Sequence, residues 1–198
     1  PLKTHIYTLS NGLKVYMSVY KDAPRIQTFI AAKTGSKNDP EDATGLAHYL
    51  EHMLFKGTSK IASLDWAKEK ILLQQISELY ERNREASEEE GIKIYKKIDS
   101  LSLEASKYVA TNEYDKMVSS LGAKGTNAYT WVDQTVYVND IPSNGIEKWL
   151  KLESERFSEL VLRLFHTELE AVYEEFNIGQ NNVYRKVNKA MNEALYPN

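Results

Sequence analysis

Apolar and polar residues alternate with a period of two over residues 4–9 and 13–20, and the Ser10-Asn11-Gly12 turn between the runs marks a β-hairpin. A third alternating run covers 25–33. The period then becomes helical: Leu46, Leu50, Met53 and Leu54 form one apolar stripe, with Asp42 or Thr44 after Pro40 as N-cap. Residues 64–121 read as helix, with Leu72, Ile76, Leu79 and Tyr80 on one face and a break at Glu88-Glu89-Glu90-Gly91, so a long helical hairpin is expected there. Asn112 is the expected N-cap of a short helix ending near Gly122. Two β-branched and aromatic runs, 126–131 and 134–139, flank Val132-Asp133 as a second hairpin. Ser143 is expected to cap a helix over 146–164 whose stripe of Ile146, Trp149, Leu150, Phe157, Leu160 and Val161 forms core. Thr167, with Glu170 three residues on, has the form of a capping box for another helix. Strands and helices segregated in this way predict an α+β fold, a mainly antiparallel β-sheet packed with helices, carrying the helical hairpin over 64–121 as an insertion.

The helix after Pro40 carries His48-Tyr49-Leu50-Glu51-His52. At about 100° per residue His48, Glu51 and His52 share the side away from the apolar stripe. Two imidazoles one turn apart can reach one cation at the Zn–N distance of about 2.0–2.1 Å, and a carboxylate on the same face lies beside a water on that cation. The order His-x-x-Glu-His is the inverse of the commoner zinc-protease motif. The plainer alternative is an amphipathic helix with surface histidines.

A catalytic zinc keeps about three protein ligands, and the chain has no cysteine to offer as the third. The candidates lie in Glu168-Leu169-Glu170-Ala171-Val172-Tyr173-Glu174-Glu175. Glu168 and Glu175 are seven apart and project from one helical face, whereas Glu174 points about 100° aside. Spacing alone does not choose between Glu174 and Glu175, and a solvated acidic helix face is the competing explanation. His5, in an alternating strand, and His166, just before Thr167, have ordinary surface or capping explanations.

Composition narrows the classes. With 198 residues, 42% hydrophobic, 27% charged and a net charge of −3, the chain is long enough for one domain with a substantial core. No basic cluster is long enough to track nucleic-acid phosphates, and no apolar run approaches the ~20 residues of a transmembrane helix. The lack of cysteine removes disulfide and thiol chemistry without fixing a compartment: periplasm and cytoplasm are both compatible, the periplasm being favoured if a signal peptide has been removed. The start at Pro1, with no Met or charged-then-apolar leader, is expected of a processed or excised chain.

Three separated segments carry a resemblance: Gly45-Leu46-Ala47-His48-Tyr49-Leu50-Glu51-His52-Met53-Leu54-Phe55-Lys56-Gly57-Thr58, then Gly125-Thr126-Asn127-Ala128-Tyr129-Thr130, then Glu168 to Glu175 followed by Asn177. In that order the chain resembles the inverzincin zinc metallopeptidases of the pitrilysin and insulinase type. The resemblance implies that His48, His52 and Glu175 bind Zn2+, that Glu51 is the catalytic base, and that Glu168 is an auxiliary acidic residue. It further implies that Asn127 and Ala128 hold peptide substrate, which a hairpin edge can do by adding the peptide as a strand. Such enzymes are built from paired halves, and the C-terminal half supplies an Arg and a Tyr that match no position here. Residues 1–198 are therefore expected to be the N-terminal zinc-binding domain of a longer zinc endopeptidase acting on short or unfolded peptides. Its partners would be the peptide and the missing C-terminal half or a partner subunit, and alone it would be weakly active or inactive. The competing class is a non-catalytic peptide-binding or assembly subunit, against which the intact His48, Glu51, His52 and Glu175 argue.

Overall fold

The computed structural model describes residues 3–196. In chain order its elements are β1 (Thr4–Thr8), β2 (Lys14–Ser18), β3 (Arg25–Ala32), α1 (Leu46–Met53), α2 (Trp66–Arg84) and α3 (Glu88–Ser106). These are followed by α4 (Glu113–Ser120), β4 (Lys124–Thr130), β5 (Thr135–Pro142), α5 (Ile146–Ser158), α6 (Phe165–Gln180) and α7 (Val183–Leu195). Both sheets are antiparallel and the fold is α+β, with helix the larger share. β1 and β2 form a separate two-stranded ribbon, in register from Thr4 opposite Ser18 to Thr8 opposite Lys14. The second sheet runs β3-β5-β4, so β4 is an edge strand. Its centre, β5, buries Thr135, Val136, Tyr137, Asn139 and Ile141.

The helical hairpin is α2 against α3. Ile76, Leu79, Ile94, Ile98 and Ala105 are buried between them, with Leu72 and Tyr80 packed alongside, and each large aliphatic there contributes about 1.5–3 kcal/mol. The break falls at Glu85-Ala86-Ser87, not at Glu88-Glu89-Glu90-Gly91: Ser87 accepts the Glu90 N–H, and the three carboxylates occupy the first turn of α3, where they complement the positive end of the helix. Helix is also interrupted between α3 and α4, where the Leu64 and Ala110 N–H groups bond to the carbonyls of Tyr108 and Ala62. A second cluster gathers Ile61, Ala62, Tyr114, Val118 and Leu152, with Phe55 packed against it.

Several helix ends differ from the sequence expectation. Neither Asp42 nor Thr44 caps α1. The N-cap is Gly45 at φ 92°, and the Asp39 carboxylate reaches across the turn to accept the N–H groups of Gly45 and Ala47 at 2.8 Å each. Asn112 stands at the N-cap position of α4 but in the left-handed region, with no side-chain cap. Ser143 opens a short 3-10 turn, Ser143–Gly145, and does not cap α5. Thr167 lies inside α6, which begins after Leu164 at φ 54°.

α5 ends at Ser158 instead of 164, and what replaces its last turns explains why. Residues 159–164 leave the helix and deliver Arg163 into the interior, where its guanidinium bonds Glu69 at 2.6 and 3.1 Å and donates to the carbonyls of Lys56, Thr58 and Ile61. A helical turn there would leave Glu69 buried without its counter-charge. Along α5 itself the buried residues are Trp149, Leu152, Glu153 and Arg156, while Leu150 and Phe157, and Leu160 beyond its end, are exposed. Arg156 is admitted because Glu153 pairs with it and the rings of Phe55, Tyr114, Tyr137 and Phe157 surround its guanidinium at 4.4–5.3 Å.

Candidate metal centre

α1 packs against β4 and β5 on one side and α6 on another, so its buried positions are not one stripe. Ala47, Tyr49, Glu51 and Met53 are buried, whereas Leu46 and Leu50 are each 38% exposed. This corrects the Leu46, Leu50, Met53, Leu54 stripe. The helix points one side at α6, and from there Glu168 and Glu175 approach the two imidazoles.

His48 Nε2 and His52 Nε2 are 3.2 Å apart, and Glu175 Oε2 lies 3.5 Å from the first and 3.7 Å from the second. A tetrahedron with ligand bonds of about 2.0–2.1 Å has edges of about 3.3–3.4 Å. The three donor atoms therefore stand close to three corners of such a site, with the chemistry of a His2Glu set, and the residues fit a zinc ion. They are the group of His, Asp and Glu side chains among the described residues whose ligand atoms converge in this way. Glu174 makes no hydrogen bond or ion pair among the described residues, and the structure thus distinguishes two acids that spacing leaves equivalent.

The other ring nitrogen of His52 is occupied. Nδ1 lies 2.8 Å from Glu168 Oε1, and Lys56 Nζ pairs with Oε2 of the same carboxylate. A carboxylate on Nδ1 fixes the tautomer that leaves Nε2 unprotonated, the form a cation needs. Tyr49, the residue after His48, donates its hydroxyl to the Phe165 carbonyl at 3.0 Å and ties α1 to the start of α6. Burial, reinforced by the Glu168 carboxylate, pushes that phenol well above its ordinary value, so it remains a donor.

Glu51 is 6% exposed, and its Oε2 accepts a 2.5 Å hydrogen bond from the Thr130 hydroxyl at the end of β4. Thr130 lies 3.2 Å from Thr135 Oγ1, which donates to the Thr34 carbonyl. Glu51 is thus held by the edge strand, and that strand also brings Asn127 and Ala128 to the site. Both line the same cavity, of about 460 Å3, as His48, Glu51, His52, Glu168 and Glu175.

His5 lies half-buried on β1, and His166 is neither a surface nor a capping residue. The His166 ring packs between Tyr80 and Tyr95, at 5.4 and 5.5 Å, hydrogen-bonded to the Tyr80 hydroxyl, and burial lowers its pKa. Thr130 and Lys56 are the site residues that sequence reasoning missed. Both fall inside the quoted motifs, but their roles come from residues 79 and 112 positions away in the chain, and no local spacing signals them.

Residues 17–72 match the family model described as Insulinase (Peptidase family M16). The beta subunit of a probable mitochondrial-processing peptidase from Arabidopsis thaliana is 36% identical over 58 residues, 29% of this chain and 11% of that protein. The uncharacterised zinc protease YmxG of Bacillus subtilis is 34% identical over 53 residues, 27% of this chain and 13% of the relative. The first half of the periplasmic protease PqqL from Escherichia coli superposes with a TM-score of 0.65 at 18% identity, over 100% of this chain and 34% of that one. Over residues 17–72, which include the His48-to-His52 motif, the chain is similar to the insulinase family of peptidases.

The chain spans about a third of the solved structure it matches, and its aligned segments cover a little over a tenth of those two relatives. The matched model describes a peptidase family, and the Bacillus subtilis relative is named a zinc protease. No helix among the described residues is long and apolar enough to cross a membrane.

Proposed function

We propose that this chain is the zinc-bearing N-terminal portion of an endopeptidase that hydrolyses short or unfolded peptides. The observation that carries the reading is the convergence of His48 Nε2, His52 Nε2 and Glu175 Oε2 to within 3.2–3.7 Å of one another, with Glu51 lining the same cavity. Zinc bound by these three residues would polarise the scissile carbonyl and lower the pKa of a water to about 7. Glu51 takes that water's proton and returns it to the leaving amine. Thr130 keeps the carboxylate aimed while it does so. Glu168 orients His52, and Asn127 and Ala128 on the edge strand β4 hold the extended peptide through main-chain hydrogen bonds.

A partner is part of the proposal. The fold matched by this chain is a third of a longer protein, and the C-terminal half or a partner subunit would close the cavity over the substrate. Lacking those transition-state contacts, the chain alone is expected to turn over about 10²-fold more slowly or worse.

Elemental analysis after dialysis against a weak chelator tests the reading, applied to the parent, Glu175→Gln, Glu174→Gln and Glu51→Gln. One zinc per parent chain is expected, lost in Glu175→Gln and kept in the other two. A fluorogenic peptide should be cleaved by Glu174→Gln but not by Glu51→Gln once the partner half is supplied. A parent chain that retains no zinc overturns the proposal.

A further inference from the structure

We infer that Lys56 is a positioning residue for the metal centre, holding the Glu168 carboxylate so that His52 presents an unprotonated Nε2. The inference rests on the zinc reading above and concerns a residue whose ammonium acts on the imidazole through the Glu168 carboxylate.

Glu168 divides its two oxygens between two partners: Oε1 takes His52 Nδ1 at 2.8 Å, and Oε2 takes the Lys56 ammonium. With one oxygen held, the carboxylate can still turn about its last bond. With both held it has one orientation, and the imidazole across from it is fixed in ring angle and tautomer together. Lys56 is the one ion-pair partner of Glu168 besides His52 among the described residues. The Tyr49 hydroxyl, which could have competed, is committed to the Phe165 carbonyl.

Lys56 is itself held. Its N–H continues the last turn of α1 by bonding the Met53 carbonyl at 3.0 Å, and its own carbonyl accepts Arg163 Nη1 at 2.9 Å. Gly57 follows at φ 93°, where a Cβ would stand 2.4 Å from the Ile61 carbonyl. The backbone of Lys56 is therefore anchored to the buried Arg163–Glu69 pair on one side and to the ligand helix on the other. Only 24% of its side chain and 12% of that of Glu168 reach solvent, so the ion pair is shielded compared with a surface pair. The ammonium also offsets the carboxylate, which would otherwise leave an unbalanced anion behind the imidazole.

The test compares the parent chain with Lys56→Met, which keeps the apolar stem, and Lys56→Arg, which keeps the charge. Zinc affinity is read by competition with a chromophoric chelator. The His52 tautomer is read independently, from imidazole 15N shifts of the metal-free chain at about pH 8, above the imidazole range. Lys56→Met should bind zinc about tenfold more weakly or worse and show mixed His52 tautomers. Lys56→Arg should restore most of the affinity and the single Nδ1–H form. Parent affinity together with a single tautomer in Lys56→Met overturns the inference, as does a loss that Lys56→Arg shares in full. A parent chain that binds no zinc, yet shows the tautomer shift in Lys56→Met, would overturn the zinc reading while supporting the role of Lys56.

Discussion

Removing the Glu69 carboxylate should be among the most costly single changes this chain can suffer. Glu69 and Arg163 are 0% and 1% exposed, joined at 2.6 and 3.1 Å, and Glu69 takes a further 2.5 Å bond from Ser63. In Glu69→Ala the guanidinium stays in the interior, held by the carbonyls of Lys56, Thr58 and Ile61 but with no opposite charge. Deleting one partner of a buried pair costs about 3–5 kcal/mol. At about 2–4 °C per kcal/mol for a domain of this size, the unfolding midpoint should fall by about 6–20 °C. The double variant Glu69→Leu with Arg163→Met removes both charges and should recover part of the loss, not all of it. The Lys56 and Thr58 carbonyls lose their guanidinium donor, and a buried unsatisfied group costs about 1–3 kcal/mol. Urea and thermal unfolding of the metal-free chain, followed by circular dichroism, provides the measurement. A loss of less than about 1 kcal/mol for Glu69→Ala, the worth of an exposed pair, would refute the view that this pair is a desolvated clasp.

Thr130→Val removes the hydroxyl donated to the buried Glu51 carboxylate and should destabilise the chain by about 1.5–3 kcal/mol, the worth of a hydrogen bond to a charged group. Thr130→Ser should stay near the parent in the same urea titration, and equal losses in the two variants would speak against the hydrogen bond. Gly57→Ala places a Cβ 2.4 Å from the Ile61 carbonyl at φ 93° and should cost more than about 1 kcal/mol, checked by thermal unfolding; a neutral effect would contradict the geometry. Burial lowers the His166 pKa, a little offset by Glu170, so the native state resists a proton that the unfolded chain accepts at about 6.5. Its stabilising effect is complete above that value and is lost as pH falls below it toward the native pKa. The stability difference between parent and His166→Gln should therefore shrink on acidification through this window, and a difference independent of pH would exclude the effect.

What the sequence revealed was local. The spacing of His48, Glu51 and His52 is a property of one helix turn, and the alternation of β1 to β3 and the β-branched and aromatic content of β4 and β5 are properties of single strands, so all could be read without neighbours. The errors lie where a distant group decides a local structure. Asp42 and Thr44 were reasonable caps for α1 by proximity, but the carboxylate that arrives is Asp39, across a turn that Gly45 makes possible. Leu160 and Val161 continue the apolar pattern of α5, yet the pull of Arg163 toward Glu69, 94 positions away, ends that helix at Ser158. Periodicity does not foresee the burial of Arg156, around which four aromatic rings close. Glu174 and Glu175 are chemically identical, and only the docking of α6 against α1 places one of them beside the imidazoles.

The two helices that carry those donors are remote in the chain: His52 and Glu175 are 123 positions apart. A cation gripped by both therefore acts as a cross-link closing a loop of more than half the molecule, in a sequence that has no cysteine to make one covalently. Loop-closure entropy makes such a link more effective the longer the loop it closes, and ligand binding adds RT ln(1 + [L]/Kd) to the folded state. Unlike a disulfide, this staple can be undone by a chelator or by acid. Free metal concentration would then set how firmly α6 is fastened to the rest of the chain.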